Sequence, residues 1–447
     1  MKMFPHQIKG SDYLIERGGG YLFWKMRVGK TLPAIDAVMK HAETPVLIIT
    51  QTSIMETWRK TLVHDYGVPE NLVSVCKTNY MSNKRRHILE TGFIVICNYD
   101  MAIPYRIMTA QQWGAIIYDE SHAIANMSAK RTRYIVRSVK KQPKHQIRLA
   151  LSGTPAPEGD IQYVSQFFAV DGHFMGHTDL PKYIQQYWMY MVYSRRWEIH
   201  DIEHEMEFKD YINKNAFFLS LENLGKGSEI LKTHREIPVN SAQLDCLDWA
   251  IERKEDLNRL FRGFGQSPVG DMVYGMYENM VAAGIDPRDR SIISTRKAQD
   301  IVYCYHDNPE PILILCPYVD IIPVIAEVLN KRDIRTDWFD GSKPEFEREE
   351  IRDRFQRGGL DAVVAQSAIA AEGLDFSRAD KTYYYSNLFS LRVREQTSQR
   401  TTNLNKTRPV ELVDLCTTHT MDLNVVKKLE KKEKVSSAFI REHSRLI

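Results

Sequence analysis

The sequence predicts two parallel α/β lobes in tandem with a mainly helical segment between them. Three observations carry this. Short apolar runs alternate with amphipathic stretches up to about residue 155, a second set of such runs follows after about residue 300, and the chain between them has a different texture. The length of 447 residues exceeds what one ordinary core serves, so two or three domains are the natural partition.

Taken in order, the first lobe carries YLFW at 21, PVLIIT at 45, FIVIC at 93, AIIYD at 115 and IRLALSG at 147. Runs this short and this continuously apolar read as strands buried on both faces, joined by crossover helices. We place this lobe at 1–171. Residues 172–232 are rich in Tyr, Trp, Phe and Met with no clear strand period and are expected to form a helical insertion. HREIPVNSAQLDCLDWAIE, from 234, has a strand-like start, Ser241 as a candidate N-cap and then helical spacing, so 233–294 is expected to hold a return strand and linker helices. GFGQSPVGD at 263 reads as a loop. The second lobe, 295–447, carries PILILCP at 311, DAVVAQ at 361, KTYYYSN at 381 and PVELVDL at 409, and KKLEKKEK at 427 reads as a solvated terminal helix.

Composition narrows the class. Hydrophobic residues at 43% and charged residues at 26% are ordinary for a globular chain. A net charge of +3 does not by itself reveal a nucleic-acid binder, so any basic track must be local. The six cysteines form no C-x-x-C pair and share no ligand spacing with histidines, which predicts a reduced protein without structural zinc. The N-terminus lacks the apolar core of a signal peptide, and no stretch approaches the roughly 18 apolar residues of a membrane span. The expectation is a cytoplasmic protein, with no membrane partner.

Two segments carry phosphate chemistry. In YLFWKMRVGKT an apolar strand runs into Arg27, Val28, Gly29, Lys30 and Thr31 and then into a helix. Backbone N–H groups of such a turn face phosphates, Lys30 neutralises β/γ charge and Thr31 offers a hydroxyl to Mg²⁺. A strict P-loop has glycine where Trp24 stands. In AIIYDESHAIA, Asp119 and Glu120 fall at the carboxyl end of a buried strand, where ligands bind α/β sheets. Asp119 can hold the magnesium of ATP, and Glu120 can polarise an attacking water.

GKT, then DESH, then LSGTP at 151 resembles motifs I, II and III of a superfamily-2 helicase, whose lobes are RecA-like. Phe4, His6 and Gln7 resemble the adenine-reading Q motif. Ser152 and Thr154 resemble hydroxyls that couple the ATP site to lobe movement, and His122 falls with them. In the second lobe FDGSKPEFEREEIRDRF at 339 resembles the segment after motif IV. VVAQSAIAAEGLDF at 363 resembles motif V, with Gly373 and Asp375 at its end and Ala370 and Ala371 in place of its glycine pair. REQTSQRTTNLNK at 394 resembles the Snf2 form of motif VI, aligning Gln396 and Arg400, while the usual histidine and second arginine fall on Thr402 and Asn403. The Snf2-related branch is indicated by QTSIMETWRKTL at 51, ICNYDMAI at 96 and IPVNSAQLDCLDWAI at 237. Without long targeting extensions, the chain is similar to compact bacterial or bacteriophage motors.

The resemblance implies an ATP- and Mg²⁺-dependent DNA motor in replication, recombination or repair, working as a monomer on single-stranded, forked or branched DNA. It implies DNA held through phosphates, with Thr52, Ser53, Asn98, Ser342, Lys343 and Ser367 as candidates. Arg400 is the expected arginine finger, with Arg408 or Arg394 as alternatives. An RNA helicase and a nucleotide-gated binder with little turnover are the competing readings. Trp188, Tyr190, Tyr193, Arg195, Arg196 and Trp197 of the insertion suit stacking on exposed bases, or else the packed interior of a small subdomain.

Overall fold

The computed structural model describes residues 3–41, 45–77, 80–142, 146–157, 159–191, 196–220, 222–225, 229–253, 270–371, 374–388, 390–401, 406 and 408–431. The chain divides into two compact units, Met1–Lys226 and Gly227–Lys434.

The first unit is built on strands β1 (Gly20–Trp24), β2 (Val46–Thr50), β3 (Val73–Val75), β4 (Ile94–Asn98), β5 (Ala115–Asp119) and β6 (Ile147–Leu151), followed by a hairpin of β7 (Trp188–Met191) and β8 (Arg196–Ile199), then β9 (Ala216–Leu219). Its sheet runs β3-β4-β2-β5-β6-β1-β9 and every pairing is parallel. Alternate residues of one strand feed opposite faces: Tyr21 and Phe23 enter one apolar cluster, Leu22 and Trp24 the other. This is why strands of five residues read as unbroken apolar runs.

The segment expected as a separate insertion belongs largely to this unit. It holds the helices Leu180–Tyr187 and Ile202–Asn215 and adds the antiparallel β7–β8 hairpin, which was not anticipated. Phe174, Tyr183, Trp188, Phe208 and Ile212 lie in the same cluster as Phe167 and Tyr163 of the first lobe. β9 then pairs with β1, from Tyr21↔Ala216 to Trp24↔Leu219, and so closes the lobe about 45 residues after the expected boundary at 171. Tyr190 and Trp197 remain exposed and meet each other in a tilted ring contact at 5.4 Å. Tyr193, Arg195 and the Arg196 side chain lie outside the described residues.

The second unit opens with β10 (Ile230–Ile237) and continues through β11 (Ile312–Cys316), β12 (Thr336–Phe339), β13 (Ala362–Gln366), β14 (Lys381–Tyr384) and β15 (Val410–Thr417). The order is β10-β15-β14-β11-β13-β12, again all parallel. The expected return strand is therefore corrected: β10 pairs along its whole length with β15 and forms an edge of the second sheet. The following helix, Ser241–Glu252, is capped by Asn240 rather than Ser241. Asn240 Oδ1 accepts from Gln243 N at 2.8 Å while Gln243 Oε1 accepts from Asn240 N at 3.1 Å, a reciprocal capping box. GFGQSPVGD falls outside the described residues except at its end, where the helix Gly270–Ala283 begins. Residues 422–431 are helical, with Val425 and Leu429 buried, so this terminal helix has a packed face.

Candidate nucleotide site

The loops after β5, β6 and β1 leave the carboxyl ends of three adjacent strands, and these carry DES, SGT and GKT. Gly153 makes the approach close: a Cβ there would stand 2.8 Å from Met26 Cγ and 3.2 Å from Met26 N. The SGT turn thus packs directly on the loop that bears Lys30.

Within that loop Arg27 and Gly29 have positive φ, 66° and 86°. Lys30 Nζ donates to the Trp24 carbonyl at 3.0 Å and spans the loop. Trp24 explains the departure from the strict P-loop. It is fully buried at the end of β1, in ring contact with His6 and Phe217, and the missing side chain of Gly10 makes room for it. The helix Thr31–His41 begins at Thr31, so the hydroxyl falls on a helix N-terminus.

The Q-motif residues grip this loop from behind. His6 Nε2 lies 2.9 Å from the Val28 carbonyl, and Gln7 Nε2 donates to the Gly29 carbonyl at 3.0 Å. Gln7 Oε1 accepts from Phe4 N at 2.9 Å. In this structure the Gln7 amide shapes the phosphate loop, where the resemblance implied an adenine contact.

Asp119 and Glu120 are both buried, at 7% and 9% exposure. Burial, followed by the neighbouring Glu120, pushes the Asp119 carboxyl up to about 6, against the opposing bonds from Trp58 and Thr50. Trp58 Nε1 and Thr50 Oγ1 both donate to Asp119 Oδ2 at 2.7 Å. Glu120 has φ 48° and ψ 53°, a left-handed conformation that costs about 1 kcal/mol and turns its carboxylate away from the strand line. Its Oε2 lies 3.2 Å from His122 Nδ1, which is also 3.2 Å from Ser152 Oγ. Ser152 Oγ accepts from Thr154 N at 3.2 Å. The expected coupling residues of this lobe are therefore joined to Glu120 in one chain. Two buried carboxylates side by side, near a lysine and a helix-terminal threonine, fit a triphosphate with a divalent cation: the cation would neutralise charge that burial otherwise disfavours.

The proposed strand-contact residues divide by unit. Asn98 Nδ2 donates to Thr52 Oγ1 at 2.9 Å, which joins the loops after β2 and β4, and Ser53 Oγ is buried beside them. In the second unit Ser342 Oγ and N both bond Asp340 Oδ1, and Gly341 N donates to Gln366 Oε1 at 3.0 Å, next to Ser367. Lys343 lies 4.3 Å from the Trp338 ring centroid.

Motif VI is partly corrected. Arg394 is a structural residue, 5% exposed, with Nη1 and Nη2 on the two oxygens of Asp414 at 2.6 and 2.7 Å and Nη1 also on Asn387. It is not available as a finger. Arg400 Nη2 donates to the Ala371 carbonyl, and Arg408 is exposed beside Asp380. Gln396 is buried in the helix Leu391–Ser398. Asp375 accepts from Ser377 N at 3.1 Å. Gly373, Thr402 and Asn403 lie outside the described residues.

Thr50, Tyr99 and Gly153 were missed by sequence reasoning. Thr50 merely ends an apolar run, Tyr99 stands in ICNYDMAI with nothing local to mark its role, and a glycine's close approach has no local signature. Trp58 was visible only as a mark of resemblance.

Family models match at two places, an SNF2-related domain over residues 6–170 and a helicase conserved C-terminal domain over 296–405. The chain is similar to a "SWI/SNF-related matrix-associated actin-dependent regulator of chromatin subfamily A-like protein 1 homolog" of Caenorhabditis elegans, 23% identical over 385 residues, covering 83% of this chain and 52% of that protein. It is also similar to the "DNA annealing helicase and endonuclease ZRANB3" of Bos taurus, 22% identical over 452 residues, covering 98% of this chain and 40% of the relative. The chain thus spans about half or less of these relatives. Among solved structures the Pyrococcus furiosus Hef helicase domain shares the fold, with a TM-score of 0.53 at 12% identity over 95% of this chain and 97% of that one.

Proposed function

From the premise that the chain belongs to the Snf2-related branch of the superfamily-2 helicases, we propose that it hydrolyses ATP with Mg²⁺ to move on DNA, acting on forked or branched substrates. The single observation that carries this is the convergence of the GKT, DES and SGT loops at one sheet edge, with Glu120, His122 and Ser152 in contact in series and Asp119 held beside them by Thr50 and Trp58.

Bound ATP supplies the transferable γ-phosphoryl group. Lys30 and the N–H groups of the loop would hold its charge, and Thr31 and Asp119 would provide oxygens for a magnesium ion. Glu120 orients and polarises the attacking water, with His122 holding its carboxylate toward Ser152. Motion on the strand then requires only that nucleotide-bound and nucleotide-free states differ in affinity for DNA. Action on DNA draws support from the similarity to a DNA annealing helicase and endonuclease of Bos taurus.

A second reading, a nucleotide-gated binder with little turnover, is favoured by motif VI. Arg394 is locked to Asp414, and Thr402 and Asn403 stand where the family has histidine and its second arginine.

Phosphate release measured with single-stranded, duplex, forked and four-way DNA, and with RNA, separates the readings. The motor requires stimulation by DNA above RNA, greatest on forks and junctions. Equal, slow release on every nucleic acid would favour the gated binder. Lys30→Ala should cut DNA-stimulated release at least about 100-fold with the fold retained.

A further inference from the structure

Asp119 is held at two separate points by the segments that carry the candidate strand contacts. Trp58, 2% exposed, stands on the helix Met55–Lys60, which follows directly from the 3₁₀ turn Thr52–Ile54. Its indole N–H donates to Asp119 Oδ2 at 2.7 Å. Tyr99, 5% exposed, opens the turn that Asn98 caps, and its hydroxyl donates to the Asp119 backbone carbonyl at 2.8 Å. Asn98 and Thr52 are bonded to each other at 2.9 Å, so the two segments form one closed circuit around the aspartate.

A buried aromatic needs only packing to be satisfied; Phe would pack nearly as well as Tyr at 99, whereas at 58 it would fill most of the space of the indole and leave a small void. The polar atoms are what distinguish Trp and Tyr here, and each is spent on Asp119. Both side-chain bonds fall on Oδ2, which leaves Oδ1 the oxygen without a hydrogen bond among the described residues. Loops tied to each other move together, so a shift of the Thr52–Asn98 pair displaces both hydrogen bonds at once.

We propose that Trp58 and Tyr99 are positioning residues that relay DNA contact at Thr52 and Asn98 to the Asp119 carboxylate, and thereby set its readiness for magnesium. The inference rests on the motor reading given above. It concerns one lobe only and names the route by which strand contact stimulates hydrolysis.

The test uses the full chain and two conservative variants, Trp58→Phe and Tyr99→Phe, which remove one donor each. Three quantities are read: DNA-stimulated phosphate release, the affinity of a fluorescent non-hydrolysable ATP analogue with and without Mg²⁺, and the thermal midpoint. Each variant should lower the stimulated kcat about tenfold with the KM for ATP held within about twofold. The gain in analogue affinity that Mg²⁺ provides should fall about three- to tenfold in Trp58→Phe, while the metal-free affinity stays unchanged. A structural role alone would lower metal-free affinity and the thermal midpoint in step with kcat, and that pattern overturns the inference. So do variants that keep both the stimulation and the magnesium gain of the wild type. If Trp58→Phe fails to fold, Tyr99→Phe alone decides through the kcat and KM split. A wild-type chain that no DNA stimulates would overturn the motor reading and this relay together, whereas wild-type stimulation with unchanged variants removes the relay alone.

Discussion

Asp119 shows how far burial and a neighbouring carboxylate take a single acid from its ordinary state. Its value in the folded chain, about 6, stands above the unfolded value of about 4, so folding takes up a proton in that window. The sign follows: ionisation weakens folding, by an amount that grows from about pH 4 to about 6 and is constant above. Asp119→Asn keeps an oxygen that can accept from Trp58 and Thr50 and removes the charge. We expect it to raise the thermal midpoint of the metal-free protein at pH 7.5 by about 2–8 °C, to lose that gain near pH 4, and to abolish hydrolysis. A scan at both pH values checks it, and an unchanged or lower midpoint at pH 7.5 would show that the buried charge is compensated. Lys30, Asp119 and Glu120 were legible because residue type and position at a strand end together limit the chemistry. Gln7 was legible as a site residue but not in its contact, because an amide reads the same in sequence whether it faces a base or a backbone carbonyl. The structural role of Arg394 was hidden for a similar reason: Asp414 lies 20 residues away, inside a strand, with no local pattern to join them.

Among the elements, the strands buried on both faces were readable as apolar runs, and those that escaped did so for identifiable reasons. β3 has only three residues and β12 only four, TDWF, with two of them half-buried, while β10 was read as a strand but its exposed, polar edge LKTHRE gave no sign of which sheet it joins. β9 is apolar but sits after a helix, where a run of AFFL is as consistent with a helix end as with a strand. The aromatic segment before it was readable in composition only. Its side chains divide by partner: Trp188 meets Phe208 at 5.4 Å in the core, whereas Tyr190 and Trp197 meet each other in solvent. Trp188→Ala should therefore cost about 3–5 kcal/mol, and Trp197→Ala at most about 1 kcal/mol, in denaturant titrations. Comparable losses from both would mean that the hairpin is packed more deeply than its exposure indicates. The cap at Asn240 is a smaller case, where Asn240→Ala should cost about 1 kcal/mol.

At the scale of the whole molecule, the chain consists of two parallel-sheet units, and the boundary falls where β9 has completed the first and β10 begins the second. A truncation after residue 225 should accordingly fold and bind nucleotide without DNA-stimulated turnover. One after 171 should fail to fold, because β1 loses its β9 partner and Tyr163 its Phe218 neighbour. Limited proteolysis and nucleotide binding on the two fragments distinguish these outcomes. Both α/β lobes were legible from the sequence, and the assignment of chain to each was not, since a boundary depends on strand pairings made across long separations. The central claim is that the convergent loops form a hydrolytic site worked by DNA. It is tested most directly by phosphate release from the wild type and from Glu120→Gln, with and without forked DNA, alongside nucleotide binding. DNA should raise wild-type release at least about tenfold, and Glu120→Gln should bind nucleotide as the wild type does while losing about 100-fold or more in release. Release indifferent to DNA, or a Glu120→Gln variant that turns over like the wild type, would contradict it.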